Sequence, residues 1–231
     1  MPKTFNIDLV IFDCDGTLVN TEYLNNAALI SLLKEHGIHK YDMDYALNHF
    51  AGNRFSKILE MVSEDTGHTF SEETSKKFLE KVNAQVPELL EFIDGAEDTV
   101  KTAAELAQVC VVSNGERKNV LYSIERAGLT SHFPDERVYT GLMAPNPKPA
   151  PDLFLRAASE LGVKPKNILI LEDSVAGVTG GVASGAEVWG FCGTHHNPKA
   201  HSQKLLDLGA TKVFNDMKRV QSAIIERLSA N

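Results

Sequence analysis

Asp13 and Asp15 stand one residue apart where the apolar run Leu9-Val10-Ile11-Phe12 ends, and Gly16 and Thr17 follow them. Two carboxylates this close repel, so the pair needs a compensating cation or a shared proton. An acid at a strand exit can act as a covalent nucleophile in aspartyl-phosphate chemistry. A second acid, lifted on the following turn, can protonate a leaving oxygen and then activate water. Gly16 allows a sharp turn, and Thr17 offers a hydroxyl or a backbone donor. The same residues also suit an Asp-rich turn between a strand and a helix, because Asp and Gly both favour turns.

Further along the chain lie the partners that such chemistry needs. Ser113-Asn114-Gly115 follows the apolar run 109–112. A hydroxyl at a strand exit, with backbone N–H groups at the start of the next helix, makes a site for phosphate oxygens, although Ser-Asn-Gly is also an ordinary turn sequence. Lys148 lies in the proline-rich segment 144–151, which the prolines make stiff and extended. A lysine held rigidly near two aspartates offsets their charge and that of a phosphoryl group. Glu172-Asp173-Ser174 ends the run Ile168-Leu169-Ile170-Leu171. Hard oxygen ligands from Asp13, Asp173 and a backbone carbonyl suit Mg²⁺, which keeps several waters and bridges to phosphate. Ser174 reads as a helix N-cap, and the glycines at 177, 180, 181 and 185 read as close helix–sheet packing.

These residues are positioned by an alternation of strand-like runs (9–12, 109–112, 137–139, 168–171 and 187–191) with helix-like sequence, which implies a parallel sheet flanked by helices. Ligands of such sheets bind at the carboxyl ends of the strands, where the acids, the serine and Glu172/Asp173 fall. Between the first two runs, helical patterns at 23–36, 42–50, 55–65 and 71–90 describe a small helical insertion over the strand ends. Pro87 is expected to bend or end the last of them. The segment 95–106 returns to the sheet as a helix.

The 231 residues carry a formal net charge of -8, with 43% hydrophobic and 23% charged residues. That balance argues against nonspecific nucleic-acid binding and against an anionic membrane surface. No apolar run approaches the roughly 20 residues that span a bilayer, and residues 1–6 lack the apolar core of a secretory signal. A cytoplasmic location and a monomer are expected. Cys14, Cys110 and Cys192 read as buried free thiols, with Cys14 made unreactive by the acids on either side.

The ordered motifs D-x-D-G-T, Ser, K-P-x-P-D and E-D-S-x-x-G resemble the haloacid dehalogenase superfamily of phosphohydrolases, almost end to end of the core. A helical insertion after the first motif is similar to the β-phosphoglucomutase-like subgroup. The resemblance implies an α/β fold. Its Rossmann-like parallel-sheet core, with helices on both faces, would comprise residues 1–18 and 89–231, and its inserted α-helical cap domain residues 19–88. It implies that Asp13 is the nucleophile and Asp15 the general acid/base, which also gives a backbone oxygen to Mg²⁺. Ser113 and Lys148 would hold the phosphoryl group, with Thr17 and Asn114 in the substrate-binding set. Asp173 would bind the metal, and Glu172 would serve as a ligand through water or as a support for Lys148.

The second acid separates branches of the superfamily: dehalogenases lack it and transport ATPases carry Thr there, so Asp15 points to phosphoester hydrolysis or phosphomutase chemistry. Asn25 stands where the mutases carry His, which favours hydrolysis. Position 20, Asn here, is Asp in many relatives. The blocks 110–115, 132–135 and 191–192 resemble bacterial sugar-phosphate phosphatases, a 6-phosphogluconate phosphatase among them. The expected activity is therefore Mg²⁺-dependent hydrolysis of a small phosphate ester. A phosphomutase is the alternative, and a catalytically silent metabolite-binding protein a more remote one. Gly52-Asn53-Arg54 resembles the cap loop that faces the core, so Arg54 is expected to contact substrate, with Glu22 and Asn25 at the cap entrance as further expected contacts. Arg117 and Lys118 are expected to add positive potential at the same mouth, and His195 and His196 to face solvent.

Overall fold

The computed structural model describes residues 6–50 and 55–229, apart from the side chains of Val86 and Pro87. The chain divides into two compact units, one of Met1–Asn20 with Phe92–Asn231 and the other of Thr21–Glu91. Among the described residues no helix is long and apolar enough to cross a membrane.

The larger unit is built on β1 (Leu9–Phe12), β4 (Gln108–Ser113), β5 (Val138–Thr140), β6 (Ile168–Glu172), β7 (Glu187–Phe191) and β8 (Lys212–Phe214), in the order β5-β4-β1-β6-β7-β8. Every neighbouring pair is parallel; β1 lies between β4 and β6, with Phe12 opposite Val111 on one side and Leu171 on the other. β1 and β6 are buried along their whole length, which is why they read as unbroken apolar runs. Two short pieces, β2 (Val19–Asn20) and β3 (Glu91–Phe92), pair as a separate ribbon where the chain passes between the units.

The chain builds outward from β1 through β4 to β5, then turns back to β6 and builds the other way. With right-handed crossovers, that reversal places α5 (Ala96–Leu106) and α6 (Arg117–Arg126) on one face. It places α7 (Asp152–Glu160), α8 (Val175–Ala183) and α9 (Pro198–Asp207) on the other. The core follows the strand period of two. Leu9, Ile11, Cys110, Val112, Ile168, Ile170 and Val188 cluster with Leu153, Phe154, Val178 and Leu205 of the second helix set. Val10, Phe12, Val109, Val111, Leu169, Leu171 and Trp189 are equally buried. On that side Phe12 meets Phe133 edge to face, and α10 (Met217–Ser229) packs along α5.

The smaller unit holds α1 (Glu22–Glu35), α2 (Met43–His49), α3 (Phe55–Thr66) and α4 (Glu73–Leu89). Its own core gathers Leu29, Leu33, Tyr41, Phe50, Ile58 and Val62, with Phe55 and Phe78 stacked beside them. Asp42 caps α2 by accepting from Tyr45 N. Pro87 does not stop α4, which runs on to Leu89.

Candidate active site

Reversal of the strand order puts the carboxyl ends of β4, β1 and β6 side by side, and three acidic or hydroxylic motifs leave from them. Asp13 continues the ladder by donating its backbone N–H to Leu171 O at 3.0 Å. The chain then folds into a tight turn: Gly16 N–H donates to Val19 O, and the N–H groups of Thr17 and Leu18 donate to Cys14 O. Gly16 sits at φ +83°, and a Cβ there would lie 2.0 Å from Asp173 Oδ2. Glycine is needed at this point for both reasons.

Lys148, 6% exposed, is the centre of the charge balance. Its Nζ donates to Asp13 Oδ1 at 2.7 Å, Glu172 Oε1 at 2.5 Å and Val112 O at 2.6 Å, which uses all three ammonium protons. The ring of Phe154 lies 5.2 Å from the same nitrogen. Burial opposes the lysine's charge, but Asp13 and Glu172 outweigh it and hold the ammonium above its ordinary range. The backbone of Lys148 is fixed as well: Asn114 Nδ2 donates to Lys148 O at 2.9 Å, and Lys148 N–H donates to Asn114 Oδ1 at 3.0 Å. The carboxamide of Asn114 is thus spent on the lysine loop.

Glu172 is fully buried and both its oxygens are engaged, one by Lys148 and the other by the N–H and hydroxyl of Ser174. Ser174 also accepts from Gly177 N and so caps α8. Gly181 does lie in close helix–sheet packing, against Val188 and Ile170, whereas Gly180 packs on the carbonyls of Pro149 and Ala150 in the proline-rich loop, and a Cβ at Gly177 would meet Glu172 Oε1 at 1.7 Å. The pinned carboxylate cannot give way. Gly177→Ala is expected to cost about 2–3 kcal/mol, read as a fall in melting temperature of about 5–10 °C; an unchanged melting temperature would contradict the packing described.

Asp13, Asp15, Glu172 and Asp173 act on one another through space, and among the described residues the ammonium of Lys148 opposes them. Burial first, and Glu172 second, push the Asp13 carboxyl up to about 8, against the pull of Lys148. Burial raises Asp15 too, moderated by the hydroxyl of Ser113, which donates to Asp15 Oδ2 at 3.4 Å. Burial and then Asp13 raise Asp173 well above the carboxylate range, and its Oδ1 is buried with no hydrogen-bond partner. Oxygens of Asp13, Glu172 and Asp173 lie within 4.8 Å of one another. A crowded, under-neutralised set of hard oxygens with one atom left unpaired fits a divalent cation such as Mg²⁺.

The structure therefore brings together Asp13, Asp15, Ser113, Asn114, Lys148, Glu172 and Asp173. Thr17 lies under the same turn, fully buried, with its hydroxyl unpartnered and its N–H turned to Cys14 O. Asn25 sits exposed in the first turn of α1, in the other unit. Arg54 lies outside the described residues. Arg117 does not stand free at a mouth: it donates to Val138 O and Asp135 O and pairs with the Asp135 carboxylate at 2.8 Å, tying down the approach to β5. His195 is not solvent-facing but half-buried, its ring stacked 3.9 Å from that of His201. Cys14, Cys110 and Cys192 are buried free thiols. Burial, then Asp15 and Asp13, hold the Cys14 thiol far above its usual range.

Residues 10–191 match the haloacid dehalogenase-like hydrolase family. The chain is 33% identical over 192 residues to 6-phosphogluconate phosphatase of Escherichia coli K12, covering 83% of this chain and 85% of that protein. A haloacid dehalogenase-like protein of unknown function from Agrobacterium tumefaciens C58 superposes with a TM-score of 0.79 at 30% identity, covering 96% of this chain and 99% of that one. A hydrolase of the same family from Deinococcus radiodurans R1, solved with phosphate and sodium bound, superposes at 0.77 with 29% identity and 96% coverage of both chains.

Proposed function

The chain belongs to the haloacid dehalogenase-like hydrolases and is a phosphatase, and from that premise we propose that it is a Mg²⁺-dependent enzyme that hydrolyses a small phosphorylated sugar or sugar acid, with 6-phosphogluconate the first candidate, through an aspartyl-phosphate on Asp13. The observation that carries this reading is the convergence of two differently placed acids with one buried cation. Asp13 is held by the Lys148 ammonium, whereas Asp15 accepts from the Ser113 hydroxyl.

Each group then has a separate task. Lys148 offsets the repulsion between the Asp13 carboxylate and an incoming phosphate dianion. A carboxylate oxygen of Asp13 bonds to phosphorus in line as the ester P–O bond breaks, and Asp15, whose hold on a proton is strengthened by burial, gives its proton to the departing alkoxide. Asp15 then takes a proton from water. The water oxygen bonds to phosphorus, and the P–O bond to Asp13 breaks to release phosphate. Ser113 and the N–H groups that open the following segment hold the phosphoryl oxygens, and Asn114 keeps Lys148 in register. Asp13, Asp173 and the backbone oxygen of Asp15 would hold Mg²⁺, with Glu172 behind them. The cation would supply the positive charge that Lys148 alone cannot.

The helical unit, with Asn25 and Arg54, is the proposed selector of the leaving group. Reduced, buried thiols suit the cytoplasm as the place of action, and the enzyme is read as a monomer.

The test is phosphate release across a panel of sugar and sugar-acid phosphates, with Mg²⁺ and with chelator. Release from 6-phosphogluconate or a near relative only with metal is expected. Interconversion of hexose phosphates without net release would replace hydrolysis by mutase chemistry, and full activity in chelator would remove the metal from the reading. Binding should also stabilise: at a Mg²⁺ concentration of about 100 times its dissociation constant the gain is about 2.7 kcal/mol, or roughly 5–10 °C in melting temperature. Scanning fluorimetry with and without chelator checks it.

A further inference from the structure

The segment that follows β7 reaches back to both acidic loops. Thr194, half-buried, donates its hydroxyl to Gly16 O at 3.0 Å. His201, in the first turns of α9, places Nε2 2.5 Å from Asp173 O. A carbonyl oxygen can only accept, so Nε2 carries the proton. The imidazole is braced by the ring of His195, whose planes differ by 8°, and His195 is itself fixed by accepting the N–H of Asn197 at Nδ1. Asn197 also caps α9 by accepting from Ala200 N, so one short stretch sets the helix start and both rings.

The two carbonyls that are gripped belong to adjoining backbones. The Asp173 carboxylate lies against the α-carbon of Gly16, where any side chain would collide with it. The loops meet under mutual repulsion among Asp13, Asp15 and Asp173, and no hydrogen bond between side chains holds the free Asp173 Oδ1 in place.

We propose that Thr194 and His201 are positioning residues which clamp the Gly16 and Asp173 backbones together and so set the spacing of the carboxylates that receive the divalent cation. The proposal rests on the metal-dependent reading above. Neither residue touches the cation; each acts through the loop it holds, as hydrogen-bond partners outside a metal's own ligands do.

The experiment is calorimetric titration of Mg²⁺ into the full-length protein and its variants, with melting temperature in chelator as the control for folding. Thr194→Val and His201→Leu, which delete the donors, are each expected to weaken Mg²⁺ binding by about 10-fold or more. Thr194→Ser and His201→Gln, which keep a donor at the same reach, should stay within about threefold of the parent, less than the 10-fold expected when such a partner is lost. If the deletion variants bind Mg²⁺ as the parent does, or if the donor-keeping variants are as weak as the deletions, the proposal is overturned while the metal reading stands. If the parent itself binds no Mg²⁺, the metal reading falls and this proposal with it. Should one deletion variant fail to fold, the other decides, because the two act from different points on the same pair of loops.

Discussion

Asp13→Asn should lower kcat by about 10⁴-fold or more while leaving a folded protein. An amide oxygen is too weak a nucleophile to form the phosphoryl bond, so the first half of the proposed reaction has no substitute. The fold should survive because Asn Oδ1 can still accept from Lys148 Nζ, which keeps two other acceptors, Glu172 Oε1 and Val112 O. The stability effect has a sign that separates this site from an ordinary salt bridge. Asp13 is an acid whose carboxyl is higher in the folded chain, about 8, than its ordinary 3.8. Between those values the unfolded chain has lost a proton that the folded chain still holds, so stability falls as pH rises from 3.8, and the whole cost is present above about 8. Without divalent metal, then, Asp13→Asn should melt at or above the parent temperature near pH 8–9, and the two should converge toward pH 4. Turnover within tenfold of the parent, or a variant that melts well below it at alkaline pH, would reject the assignment.

How far sequence carries depends on whether a feature is local. β1 and β6 were legible because burial on both faces demands an unbroken apolar run, and the acids that end each run break it abruptly. α1 through α5 were legible to within a few residues from their apolar faces. The strand β8 was not expected. It is a three-residue edge strand, Lys212–Phe214, exposed or half-buried, with no run long enough to announce itself. The ribbon of β2 and β3 is shorter still.

The site divides the same way. Asp13, Asp15, Ser113, Lys148, Glu172 and Asp173 are carried by short motifs at strand exits or in the proline-rich loop. Their supports are not. Asn114 lies in the serine motif, but its hold on a backbone 34 residues away is not written there; Thr194 reaches Gly16 across 178, and His201 reaches Asp173 across 28. A single hydrogen bond of this kind leaves no periodicity and needs no particular neighbour in sequence. Arg117 illustrates the reverse error: a cation just after the serine motif is spent on Asp135 and the approach to β5, because a flexible guanidinium takes the nearest acceptors. Gly177 looked like one packing glycine among several, and only the position of the Glu172 carboxylate makes it different.

Lys148→Met should be the most damaging single change to the fold of the larger unit as well as to activity. The methionine fills most of the volume but leaves Asp13 and Glu172, 6% and 0% exposed, facing each other without a cation. Removing one partner of a buried ion pair typically costs about 3–5 kcal/mol, because the charge left behind cannot recover its hydration. A fall in melting temperature of roughly 10 °C in chelator follows, with kcat/KM reduced by about 10³-fold. Lys148→Arg should rescue little. Three acceptors converge on one nitrogen beside the ring of Phe154, a geometry for a compact ammonium rather than a planar fork. A second substitution separates the two losses. Glu172→Gln in the Lys148→Met background removes one of the stranded charges, so it should return much of the melting temperature. It should return none of the activity, because the phosphate dianion would still meet Asp13 with no ammonium to offset it. If stability and turnover recover together, the lysine serves the fold alone; if neither recovers, the buried charge is not what the lysine was balancing.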